Sequence, residues 1–256
     1  RSMMVGVLVP DITNPMFPPM LRGIEDALGP DYMAVIANTD NDPEREAQAA
    51  RRLLARGVDG LILATVRRRD PLVDELREAR VPLVLLNRTL DRGEVSAVVS
   101  DDAHGMQLVV EHLAALGHRR IAHLAGPQDL STGAARLRAF KEAMRTGRLD
   151  IDEHLIVVAK SYSLAEGRRL ADQILAVEPP PTALVAANDL LALGAYEAAA
   201  GLGYRIPVDL SVTGFNDMPL VERMTPPLTT VRIQHYELGV HAAQLLAKQL
   251  DQPHSP

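Results

Sequence analysis

Three apolar runs in this chain stop on Asp or Asn, and its chemistry should sit at those stops. Val5-Gly6-Val7-Leu8-Val9-Pro10 leads into Asp11-Ile12-Thr13-Asn14-Pro15, Ala183 to Ala187 leads into Asn188-Asp189, and Val212 to Phe215 leads into Asn216-Asp217. In a parallel sheet such ends line up along one edge, where open α/β folds bind small molecules. Further recognition groups lie nearby. Phe17, one of three phenylalanines, follows the first run; in a loop its ring could close on a ligand face or pack against the protein. Arg136 comes one step before Leu137, which shares a helix face with Phe140. Its fork can grip ligand oxygens or lie on the helix surface. Tyr162 follows another run and could stack on a sugar or a base. Asp189 reads as the N-cap of the next helix, which leaves the amide of Asn188 to donate and accept. Amide, guanidinium and ring together recognise hydroxyls or ring heteroatoms rather than move protons.

Enzyme signatures are missing from the sequence. The turn at Pro10 to Phe17 has no glycine, so a dinucleotide fingerprint is excluded there. Neither a phosphate-binding Gly-x-x-x-x-Gly-Lys loop nor a Gly-x-Ser-x-Gly elbow occurs. With no cysteine, disulfides and thiolate chemistry are excluded. The eight histidines are scattered, and His118 and His123 do not resemble a ligand pair. His104, beside Asp101 and Asp102, comes nearest to a metal or proton-relay cluster, but this spacing also describes a helix cap. No cofactor and no metal are expected. The net charge of -6 and the lack of a long basic block argue against a nucleic-acid groove within these residues. Arg51-Arg52 and Arg67-Arg68-Arg69 read as solvated surface. No apolar run approaches the roughly 20 residues of a membrane span. Arg1-Ser2 reads as a remnant ahead of the first core strand, so a leader peptide is neither seen nor excluded.

The elements that must position these groups alternate between strand and helix. Strands are expected at Met4–Val9, Met33–Asn38, Gly60–Ala64, Leu83–Asn87, Ala97–Ser100, Ile121–Ala125, Leu155–Ala159, Ala183–Ala187 and Ser211–Gly214. Several are continuous Val/Ile-rich runs, as strands covered on both faces require. Helices are expected at Glu44–Arg56, Asp102–Leu116, Asp189–Leu202 and Tyr236–Leu250. Gly57 and Gly203 stand where helices stop. So many βα steps exceed one core, which predicts a doubly wound α/β chain split into two lobes with a binding crevice.

At these positions the chain resembles the effector-binding region of LacI/GalR-family bacterial transcriptional regulators, from about Met4 to Leu250. The resemblance rests on Val9-Pro10-Asp11-Ile12-Thr13-Asn14-Pro15, Gly57-Val58-Asp59-Gly60-Leu61-Ile62, Leu116-Gly117-His118-Arg119-Arg120-Ile121-Ala122, Arg136-Leu137-Arg138-Ala139-Phe140, Ala186-Ala187-Asn188-Asp189, Gly214-Phe215-Asn216-Asp217-Met218-Pro219 and Pro226-Pro227-Leu228-Thr229-Thr230-Val231. It implies a periplasmic-binding-protein-like fold of two Rossmann-like lobes, 3–118 with 233–256 and 119–232. The chain would cross between them near Arg119 and Arg232, and the last helix would return to the first lobe. A final strand pair would normally follow, and Asp251 to Pro256 end without it. The resemblance marks Asn14, Phe17, His104, Thr132, Arg136, Tyr162, Asn188 and Asn216 as ligand positions. Position 216 is usually Asp in the family, so Asn216 removes a charge. The implied effector is a neutral sugar or derivative, with a purine or nucleoside as the alternative. The implied assembly is a cytoplasmic homodimer that reaches operator DNA through a helix-turn-helix headpiece absent from this sequence. A transporter's extracytoplasmic sugar-binding protein would share the lobes, and an enzyme of this fold class is a third reading.

Overall fold

Valine and isoleucine are stiff at χ1 and suit a pleated surface covered on both faces. Most of the expected strands follow this rule in a computed structural model, which describes residues 2–92 and 95–251. Gln252 to Pro256, part of the stretch expected to lack the final strand pair, lie outside the described residues.

The first five strands are β1 (Met4–Val9), β2 (Met33–Asn38), β3 (Gly60–Leu63), β4 (Leu83–Leu86) and β5 (Ala97–Val98). They pair in parallel in the order β2-β1-β3-β4-β5. Val7 stands opposite Ile36 on one side and Ile62 on the other. The order reverses between β1 and β3, which makes the turn after β1 a topological switch point. Helices α1 (Phe17–Leu28), α2 (Pro43–Ala55) and α3 (Pro71–Glu78) connect these strands. Asp42 and Asp70 cap α2 and α3 by accepting their first free amides, with a proline next in each case. Gly57, at φ 83°, ends the turn after α2.

The second sheet holds β6 (Ile121–Ala125), β7 (Ile156–Val158), β8 (Ala183–Ala186), β9 (Ser211–Asn216) and β10 (Thr229–Arg232). It is again parallel, in the order β10-β9-β8-β6-β7, and reverses between β6 and β8. Its helices are α4 (Asp102–Ala115), α5 (Ser131–Thr146), α6 (Leu164–Leu175) and α7 (Asp189–Gly201). His123 is a core residue. It stacks on Phe140 with centroids 4.5 Å apart, its Nδ1 meets the Val185 carbonyl at 2.8 Å, and burial pushes its pKa down to about 4. His118 meets Thr182 Oγ1 and Ser211 Oγ at 2.8 and 2.9 Å and belongs to the frame.

The last helix, α8 (His235–Asp251), packs on α1 and on β3, β4 and β5. The approach to α1 is backbone to backbone. A Cβ at Gly23 would lie 2.1 Å from the Tyr236 carbonyl oxygen, and one at Gly239 would lie 2.0 Å from that of Met20. Glycine is the residue that permits this contact. Gln249 adds register, accepting from the Leu83 amide at 3.0 Å and donating to its carbonyl at 3.2 Å.

The described residues of Arg1–Ser100 with Gln234–Pro256 form one compact unit, and Asp101–Ile233 form the other. The first break therefore lies at Ser100–Asp101 and not at residues 118–119 as expected. α4 belongs with the second sheet because it packs on α5, β8 and β10. A Cβ on its Gly105 would stand 2.6 Å from the Phe215 ring. The second break lies at Ile233–Gln234, one residue beyond the expected Arg232.

Candidate functional site

The second unit gathers most of the expected residues at the carboxyl ends of β6, β8 and β9. Arg136, on the second turn of α5, is 2 % exposed and so is no surface arginine. Its Nε donates to Asp102 Oδ1 at 3.0 Å, and its Nη1 donates to the Ala187 carbonyl at 2.7 Å and to Asn216 Oδ1 at 3.4 Å. The guanidinium lies 4.0 Å from the centroid of the Phe215 ring, a cation–π contact. The geometry thus joins Arg136 and Asn216, two residues 80 positions apart.

Asn188 takes the cap role expected of Asp189, and Asp189 turns inward instead. Asn188 is the N-cap of α7, its Oδ1 accepting the Leu191 amide at 2.9 Å. No acceptor for its Nδ2 occurs among the described residues. Asp189, fully buried, accepts from the Met218 amide at 2.7 Å and from Thr230 Oγ1 at 2.6 Å. Burial raises its pKa, while those two bonds pull the other way. It pins the turn in which Asn216 and Asp217 both have positive φ, at 123° and 56°. Asn and Asp tolerate such backbone better than most residues.

Thr132 and Tyr162 meet beside this group. The Tyr162 hydroxyl donates to Thr132 Oγ1 at 3.2 Å, and Thr132 is 4 % exposed. Gly126 makes room for the ring, since a Cβ there would fall 2.2 Å from the hydroxyl. Tyr162 remains half-buried. His104 is exposed in the first turn of α4, and its amide donates to Asp101 Oδ1 at 2.9 Å. That is the helix-cap reading of the Asp101–His104 cluster. Among the described residues no group of three His, Cys, Asp or Glu could hold a metal ion.

In the first unit Asn14 shapes the turn after β1. Its Oδ1 accepts the Met16 amide at 3.2 Å and its carbonyl accepts the Phe17 amide at 3.1 Å. Asp11 Oδ1 accepts from Thr13 twice, at 2.9 and 2.6 Å, so the turn is braced internally. Phe17 opens α1 and is 2 % exposed, in contrast to the loop residue expected from sequence. The two prolines that follow fit the first helical turn, where an amide is not needed.

The same sheet edge carries a network that the sequence reading did not single out. Glu46, on α2, is 2 % exposed and accepts from Thr65 Oγ1 just past β3. Arg88 Nη1 donates to the Thr65 carbonyl at 2.9 Å and its Nη2 to Asn41 Oδ1 at 3.4 Å. Arg67 Nη2 donates to the Asn41 carbonyl at 2.6 Å. Burial pushes the Glu46 carboxyl up to about 7, against the Thr65 hydrogen bond and the charges of Arg67 and Arg88. Asp102 and Phe215 are the other residues missed. Each stood within a quoted motif or cluster, but no sequence signal linked them to Arg136.

A family model described as a periplasmic binding protein-like domain matches residues 110–256. The chain is 34% identical over 251 residues to the ribose operon repressor of Halalkalibacterium halodurans, a match spanning 98% of this chain and 73% of the repressor. The solved structure of a LacI-family regulatory protein from Chloroflexus aggregans is 31% identical with a TM-score of 0.88, covering 98% of this chain and 92% of that one. A LacI-family transcriptional regulator from Enterococcus faecium, solved with bound ribose, is 31% identical with a TM-score of 0.84, covering 99% and 92%.

Proposed function

We propose, for a chain that belongs to the LacI/GalR family of bacterial transcriptional regulators, that the polar ends of β6, β8 and β9 hold its effector, a small neutral sugar or sugar derivative. Membership fixes the kind of work: this is the sensing domain of a regulator, and its task is binding rather than turnover. Regulators of this family act in the cytoplasm. The observation that carries the ligand reading is the buried guanidinium of Arg136, bonded to Asp102 and Asn216 and stacked on Phe215. Asn188 Nδ2 and the half-buried Tyr162 lie at the same edge. Donors beside a ring suit a hydroxyl-rich ring compound. The bound ribose of the Enterococcus faecium relative supports the sugar class. Asn14 and Phe17, on the first unit's own switch-point edge, are proposed as further contacts, and His104 as a peripheral one.

A thermal-shift screen against pentoses, hexoses, sugar phosphates, purines and nucleosides tests this. Binding to the folded form raises the melting temperature by mass action, so one neutral sugar should give a saturable shift. A shift with nucleosides alone would replace the sugar by a base stacked on Tyr162. Silence across the panel would remove the sugar reading.

Homodimerisation is supported by the edge strand β2, where Met33 is 64% and Ile36 43% exposed. Exposed apolar residues on an unpaired edge mark a surface that needs covering. Light scattering should give twice the chain mass, and Met33→Glu should reduce it to one. A monomeric parent at high concentration would count against the dimer. Operator DNA is assigned to a helix-turn-helix headpiece, for which the longer repressor relative has room.

A further inference from the structure

We propose that Asp102 sets the charge class of the effector: from the first turn of α4 it neutralises Arg136, so the site accepts uncharged polyols and rejects anionic sugars. This deepens the proposed function and rests on it for the ligand, but the role as counter-charge stands on geometry alone.

Arg136 and Asp102 form an ion pair at 3.0 Å with side chains only 3% and 13% exposed. A guanidinium so far from water needs a carboxylate within bonding distance. The residue at the end of β9 that touches its Nη1 is Asn216, an amide, which supplies a dipole and no charge. The two other carboxylates at this edge are engaged elsewhere. Asp189 feels the charge of Arg136, but its oxygens take the Met218 amide and the Thr230 hydroxyl. Asp217 accepts from Arg232 Nε at 2.6 Å. Asp102 is therefore the carboxylate that bonds the guanidinium, and the site carries no spare positive charge. An anionic ligand arriving here would meet the carboxylate of Asp102, 13% exposed beside the guanidinium. A neutral ring compound meets Asn188 Nδ2, the Asn216 amide and a guanidinium whose charge is already balanced.

Asp102 is held firmly enough for this task. Asp101 caps α4 one residue earlier, and Gly105 lets the same turn approach the Phe215 ring on which Arg136 stacks. Asp102 is thus a positioning residue that acts through Arg136. The consequence for selectivity is direct. Asp102→Asn keeps shape and hydrogen-bonding capacity while removing the charge, so it should convert a neutral site into a cationic one.

The experiment compares the parent with Asp102→Asn, Asn216→Asp and the double variant. Each is melted without ligand, then with D-ribose, D-glucose, ribose 5-phosphate, glucose 6-phosphate and gluconate. Without ligand, Asp102→Asn should melt lower by about 4 °C or more, as a buried cation losing its partner requires. The double variant should regain at least about half of that loss, because the carboxylate returns on the other side of the same guanidinium. With ligand, the parent should respond to neutral sugars only, and Asp102→Asn should gain a response to the phosphorylated or carboxylated probes. Unchanged melting of Asp102→Asn, or a double variant no better than the single one, would overturn the counter-charge role. A parent stabilised best by an anionic probe would overturn the charge-class assignment. If no probe binds any variant, the effector reading fails, and the ligand-free melts still decide the role of Asp102.

Discussion

Glu46→Gln should make the protein more stable at pH 8, by about 3 kcal/mol or roughly 6–10 °C in melting temperature. The cause is a carboxyl group buried on α2 with a hydroxyl as its hydrogen-bond partner. Glu46 accepts from Thr65, and among the charges around it Asp70 opposes ionisation while Arg67 and Arg88 favour it. Burial outweighs the two arginines and raises the group from 4.5 to about 7. A raised folded-state pKa gives stability that is complete below the unfolded value and disappears as pH rises through the folded one. At pH 8 the folded protein must therefore hold a buried charge, whereas the glutamine variant does not. Glutamine keeps an acceptor for the Thr65 hydroxyl, so the comparison isolates the charge. The gain should develop mainly between pH 5 and 7 and then level off. Melting curves of both proteins across this range are the measurement. A difference that does not vary with pH would mean that Glu46 titrates like a solvated carboxyl.

Glu46 also shows where sequence reasoning stopped. Glu44, Arg45 and Glu46 read as a helix start with acid near the positive end of the dipole, and Asp42 does cap α2 there. Nothing local says that one of the two glutamates is turned under the loop after β3, because that depends on Thr65, 19 residues on. Arg136 behaves in the same way. Its own helix pattern fits a surface position, and its burial is decided by Asp102, Ala187 and Asn216 on other elements. The strands were legible because Val, Leu and Ile runs covered on both faces carry their own signature. β1 and β6 fall where the runs predict, as does the partly exposed edge strand β2, and β9 continues two residues beyond Gly214 to include Asn216. Capping was legible in kind but not in detail. Asn188 and Asp189 can each cap a helix, and the choice is tertiary. Gly214 leaves room for the Asp189 carboxylate under the β9–β10 connection, so Asp189 goes inside and Asn188 caps. The boundary near residue 118 was misplaced because a helix reads the same whichever sheet it packs on. α4 is assigned by its contact with Phe215 and α5, neither of which a linear pattern reveals.

Arg136→Ala should weaken effector binding tenfold or more, since a charge-assisted hydrogen bond contributes roughly 1.5–3 kcal/mol. The same change should lower the melting temperature, because alanine strands two partners. The Asp102 carboxylate loses its cation and the Ala187 carbonyl loses its 2.7 Å donor. Support and recognition are therefore mixed in the alanine variant, and Arg136→Lys separates them. Lysine restores a positive charge near Asp102 but offers a point donor in place of a planar fork. It cannot occupy the positions of Nε toward Asp102 and of Nη1 toward both Ala187 and Asn216 at once. The lysine variant should recover most of the lost melting temperature while its calorimetric affinity for the effector stays well below that of the parent. Equal recovery of both would mean that charge alone matters and that the fork does not contact the ligand. An alanine variant with unchanged affinity would remove Arg136 from the site and leave it as a brace between α4, β8 and β9. Recognition would then fall to Asn188, Asn216 and Tyr162, which have no fixed positive charge, and the case for a counter-charge that tunes the effector class would lose its object.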